Sequence, residues 1–157
     1  MGGWQIAFRR VPEAISSLVP VFGILALLVF LGIIFGHNHH IYHWLDKEHV
    51  ETDKILKGKS GFLNPTFFLV WTVITLAVWS FIGKKMRSLS SRTDEPMDME
   101  TSKKFIFTNT IWAALFAVFF GLTVASTIPW LWLMSIDAHW YSTMYSWYTF
   151  ASTFVSG

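Results

Sequence analysis

Four histidines fall within nine residues of the stretch GHNHHIYHW: His37, His39, His40 and His43. On a helix, His39 and His43 would stand one turn apart on one face, with His40 almost in line. Two imidazoles so spaced bind Zn²⁺ or Cu²⁺. Asp137 and His139, from a later turn, would complete a site of three His and one Asp. Asp137 and His139 also suggest a second chemistry. Quinol oxidation releases protons and needs acceptors, and an acid beside an imidazole provides them. Asn109 adds an amide within an apolar run. Each feature has a plainer alternative. His37, His39, His40, His43 and Trp44 can form an interfacial loop that docks a partner protein. Asp137 and His139 can be a helix N-terminal anion and a surface imidazole, and this is the favoured reading. Asn109, with Thr108, Thr110, Thr123 and Ser126, can supply interhelical hydrogen bonds.

The elements that must position these residues are long apolar runs. The chain has 157 residues, 53% of them hydrophobic and 14% charged. That balance, bunched into runs, points to an all-α integral membrane protein. The first span is 15–35, 21 uncharged residues, enough to cross a hydrocarbon core about 30 Å thick. Pro20 falls in its first turns, where a missing N–H costs least. The second is 65–82, opened by Asn64 as N-cap and Pro65 as first helical residue, and ended by Gly83, Lys84 and Lys85. The third is 105–128, with Pro129 as its stop, and the fourth is 140–157. Residues 1–14, with Trp4 and Phe8 beside Arg9 and Arg10, read as an interfacial segment ahead of this transmembrane domain. The fourth run reaches Gly157 without a polar flank, so a longer subunit, or a chain completed by a neighbour, is expected.

Eight of the Lys and Arg residues fall on one side of these spans and four on the other. The positive-inside rule then places the N-terminus in the cytoplasm, and the His-rich loop and the Pro129–His139 turn outside. Trp44, Trp130, Trp132 and Trp140 fall at the expected outer interface, as an aromatic belt would. The stretch STMYSWYTFAST reads as close helix packing through small hydroxyl residues. It could equally line a quinone pocket.

The net charge of +2 gives no reason to expect nucleic acid. The absence of cysteine excludes thiolate-bound zinc, Cys-ligated iron–sulfur clusters and covalently attached c-type haem on this chain. A b-type haem needs axial ligands on facing helices, and the second and third spans contain neither His nor Met. No carboxylate, Lys or Arg sits at mid-depth in the first three spans, so no complete proton path can be read.

Three stretches carry a family resemblance: WQIAFRRVPEAISSLVPVF, IYHWLDKEHVETDKILKGKSGFLNPTFFL and WLMSIDAHWYSTMYSWYTFASTFVSG. Together they resemble the F subunit of bacterial alternative complex III, a quinol:electron-acceptor oxidoreductase. SIDAHWYSTMYSWY is the most specific part, and YHWLD is the portion of the His-rich region that matches. The resemblance implies an all-helical subunit of the bacterial inner membrane, related to the polysulfide reductase membrane subunit and longer than this chain. It implies that this subunit helps form the membrane scaffold and could provide a proton route, and that it carries no haem or metal. The implied partners are the homologous C subunit, an iron–sulfur subunit, multihaem and monohaem cytochrome c subunits, and a terminal oxidase. Quinol, either menaquinol or ubiquinol, would be oxidised near the outer face. Under this resemblance the His-rich loop is a docking surface, and Asp137 and His139 are candidate polar-site residues. A direct quinol-binding redox subunit is the alternative, followed by a His-rich metal-binding membrane protein.

Overall fold

The computed structural model describes residues 10–36, 41–92, 96 and 98–156. It is all-helical, with no strand among the described residues. In chain order the helices are α1 (Arg10–Ser16), α2 (Val19–Phe35), α3 (Lys47–Thr52), α4 (Lys54–Lys59), α5 (Pro65–Arg92) and α6 (Met99–Ser126). A π-helical turn (Thr127–Leu133), a 3₁₀ turn (Met134–Ile136) and α7 (Thr143–Ser156) follow. Among the described residues, three stretches are long and apolar enough to cross a membrane: Glu13–Phe35, Pro65–Arg92 and Met99–Ile136.

Local chemistry accounts for most boundaries. α1 and α2 are separated at Ser17 and Leu18 because Pro20 lacks an N–H and its ring would strike the carbonyl of Ser16. The break closes with tight bonds from Ser17 N–H to Ala14 and from Leu18 N–H to Ile15, and helix resumes with Phe22 N–H to Leu18. Asn64 caps α5 as its type and place predict: Oδ1 accepts from Phe67 N–H at 2.7 Å, with Pro65 following. Two expected ends are corrected. Gly83, Lys84 and Lys85 do not stop α5, which runs on to Arg92. Lysines are good helix formers, and one Gly costs only about 1 kcal/mol. Nor does Pro129 stop the helical path after α6. The turn there widens to the π form, so that Met134 N–H reaches back to the Pro129 carbonyl. A wider turn relieves the clash between the proline ring and the carbonyl four residues earlier.

The chain forms two compact units, one from Met1–Leu25 and Leu76–Val118, the other from Ala26–Thr75 and Phe119–Gly157. In the first unit, Gly23 is buried on α2, and a Cβ there would make ordinary contact with the Leu76 side chain of α5 at 3.4 Å. Phe81 and Trp112 meet edge to face at 5.9 Å. Ser90, buried near the end of α5, donates to the Glu13 carboxylate.

The second unit holds an aromatic core around Phe68, which is fully buried. Its ring lies 5.1 Å from Phe30, 5.5 Å from Tyr42 and 5.6 Å from Trp44. Leu56, Leu63, Leu131 and Ala138 complete the cluster. The segment 41–64 is therefore tied by side-chain packing to the ends of the long helices, not left as a solvated loop.

Hydroxyl groups along the long helices are satisfied mainly within their own helix. Thr108, Thr110, Thr123 and Ser126 each donate to the carbonyl four residues earlier. Back-bonding lets a hydroxyl sit on an apolar face without a partner helix.

Candidate functional site

The chemistry-bearing side chains of the second unit gather where segment 41–64 meets the chain after the π turn. Two backbone carbonyls of the later segment, those of Trp132 and Ala138, accept side-chain bonds there. The buried Tyr42 hydroxyl donates to the Trp132 carbonyl at 3.0 Å, and Lys59 Nζ donates to the Ala138 carbonyl at 2.7 Å. Burial pushes the Tyr42 phenol up to about 12.

Three tryptophans fasten the π turn itself. Trp71 donates to Thr127 Oγ1 and Trp132 to Thr72 Oγ1, each at 3.0 Å, a reciprocal pair between α5 and the π turn. Trp130 donates to the buried Ser146 hydroxyl of α7 at 2.7 Å. Trp130 and Trp140 are about half exposed, as belt residues would be, whereas Trp132 is partly buried and Trp44 is 4% exposed. Trp44 thus packs inward, contrary to its expected place on a docking surface. Its indole N–H has no partner among the described residues.

His139 Nε2 lies 2.7 Å from Asp53 Oδ2. The other Asp53 oxygen accepts from Ile55 N–H at 2.8 Å and so caps α4. Asp53 is fixed by the backbone and in turn fixes the imidazole. Asp137 Oδ1 accepts from His139 N–H at 3.1 Å, and its carbonyl accepts from Trp140 N–H at 3.0 Å, closing a tight turn. Asp137 does not serve as the expected N-terminal anion of the last helix. That helix starts at Thr143, and Ser142 Oγ accepts from Tyr145 N–H.

A cleft of about 750 Å³ opens over this pair and is lined by His43, Asp53, Lys54, Asp137 and His139. It brings three sequence-predicted residues together and adds Asp53, which sequence reading missed. The one available signal was an Asp between two short helical patterns, a cap position. Nothing in the sequence linked it to His139. Asn109 belongs to the other unit and does not line this cleft; its Oδ1 is buried without a partner among the described residues. His37, His39 and His40 lie outside the described residues. Among the described residues, no three His, Asp or Glu side chains converge as metal ligands would.

In α7, the hydroxyls of Thr149 and Thr153 bond their own helix, and Ser146 accepts from Trp130. Trp147 and Tyr148 face outward. No family model, no curated protein and no solved structure matches this chain.

Proposed function

We propose that the chain is a multi-pass subunit of the bacterial inner membrane, N-terminus in the cytoplasm. It acts as a scaffold in a quinol-oxidising respiratory complex of the alternative complex III type. The observation that carries the membrane part is the bareness of the long helices. Only 6% of the most apolar window of Glu13–Phe35 is covered by the chain itself, and 22% and 17% of those in Pro65–Arg92 and Met99–Ile136. Apolar faces of that extent require lipid tails or neighbouring subunits. α7, with Trp147, Tyr148 and Phe154 exposed, starts a fourth span on this reading. The complex itself is suggested by the three resembling stretches. The most specific of them, SIDAHWYSTMYSWY, contains the His139 turn and the Ser142 cap. The iron–sulfur clusters, c-type haems and redox chemistry belong to partner subunits, and proton translocation to the complex.

The test is purification in mild detergent through a tag on this chain, with mass spectrometry of what accompanies it. Stoichiometric multihaem cytochrome and iron–sulfur subunits are expected. A chain that purifies alone from a native host would overturn the scaffold reading.

The His139–Asp53 pair supports a second reading, in which this chain itself binds quinol and takes up protons. The imidazole is oriented by a carboxylate and borders an open cleft, as a proton acceptor must be. Quinol oxidation by the complex carrying Asp53→Asn or His139→Gln separates the two. The scaffold role leaves kcat and KM unchanged; direct participation lowers turnover or raises the KM for quinol in complexes that still assemble.

A further inference from the structure

A second cleft, about 420 Å³ and beside the first, has a different character. Its walls include Phe62, Leu63, Trp130, Met134 and Trp140, and Lys59 is the one charged lining residue among the described residues. Phe62 and Leu63 immediately precede the start of α5, and Trp130 and Met134 lie near the end of the Met99–Ile136 stretch. Both stretches therefore change from apolar to polar at this cleft. Lys59 is held there by its bond to the Ala138 carbonyl, which uses one of three ammonium donors and leaves two. The Trp140 ring stands at the rim, braced edge to face against Tyr145 at 5.0 Å. Its indole N–H is a further donor on a residue that lines the cleft.

We infer that this cleft binds an anionic phospholipid, its phosphate on Lys59 and Trp140 and one acyl chain along the apolar wall. The inference rests on the membrane reading, because only there is such a ligand supplied. Charge and depth choose the occupant. A lone ammonium over an apolar trough, at the level where spanning helices end, complements a headgroup anion above a hydrocarbon chain. The cleft beside His139 and Asp53 lacks this character, because it mixes carboxylates with Lys54.

Native mass spectrometry of the detergent-solubilised full chain, titrated with dioleoyl phosphatidylglycerol or dioleoyl phosphatidylcholine, tests it. One phosphatidylglycerol should be retained with a preference of about fivefold, the effect of one Lys at a membrane surface. Lys59→Met should abolish the preference, and Lys59→Arg should keep it. Trp140→Leu, at a half-exposed position, should weaken retention without altering the fold, which covers the case in which Lys59→Met fails to fold. Equal retention of the two lipids, or an unchanged preference in Lys59→Met, would overturn the site. So would displacement of the bound lipid by an equimolar short-chain quinone. Failure of the membrane reading would look different: the chain would leave membranes on alkaline carbonate washing, whereas a failed lipid site leaves it detergent-dependent.

Discussion

Replacing Phe68 by Ala tests whether segment 41–64 is held by side-chain packing. Phe68 is fully buried and three rings lie within 5.6 Å of its own. Removing a buried Phe side chain costs about 3–5 kcal/mol, depending on how far the neighbours collapse into the gap. Collapse is hindered here because Tyr42 is tied through its hydroxyl to the Trp132 carbonyl. The loss should lie in the upper half of that range, about 4 kcal/mol. Amide hydrogen exchange of the full chain in detergent reads this directly. Exchange across 41–64 should accelerate by about three orders of magnitude, or to the rate of unstructured chain. Val70→Ala, at an exposed position on the same helix, should change stability by less than about 0.5 kcal/mol. Acceleration of less than about tenfold in Phe68→Ala, or an equal effect from Val70→Ala, would refute the packing argument.

Other perturbations probe single interactions. Tyr42 has its pKa raised from 10.0 to about 12, so above pH 10 the unfolded phenol ionises first. Stability should then fall between about pH 10 and 12, by about 3 kcal/mol in all; denaturation curves in detergent should show this fall, and Tyr42→Phe should remove it. Thr75 is fully buried and its hydroxyl has no partner among the described residues. Thr75→Val should be neutral or stabilising by about 1 kcal/mol in the same unfolding assay, and a clear loss would reveal a hydroxyl partner. Asp53→Asn weakens an exposed pair and should cost less than about 1 kcal/mol, which thermal unfolding can check. Pro129→Ala restores a backbone donor, yet it should destabilise by about 1–2 kcal/mol because the reciprocal Trp71–Thr127 and Trp132–Thr72 bonds depend on the widened turn. A gain in thermal stability would count against that dependence.

Features decided by neighbouring residues were legible in the sequence. Asn64 and Pro65 mark a helix start by their own chemistry, and the cap forms as read. The helix ends were not, because Lys84 and Lys85 are compatible with helix, and a proline can be absorbed by a π turn as well as end a helix. Asp137 and His139 share one turn, as their adjacency suggests, but the carboxylate that meets the imidazole is Asp53, far away along the chain. Single-chain patterns contain no signal for such a pair. Trp44 misled for a related reason. An aromatic residue beside a polar loop suits a membrane interface, and only the folded cluster shows that Tyr42 and Phe68 cover it.

The π turn also acts as a phase shifter. Each α-helical residue advances the side-chain direction by about 100°, so one extra residue absorbed in a widened turn rotates the rest of that helical turn, Trp130 included, by roughly that angle. The Trp130 indole meets Ser146 on α7 under that offset. Deleting one residue within Thr127–Leu133 would straighten the helix and swing the indole away from the hydroxyl. A relative without Pro129 and one residue shorter here should therefore lack this pairing of Trp and Ser.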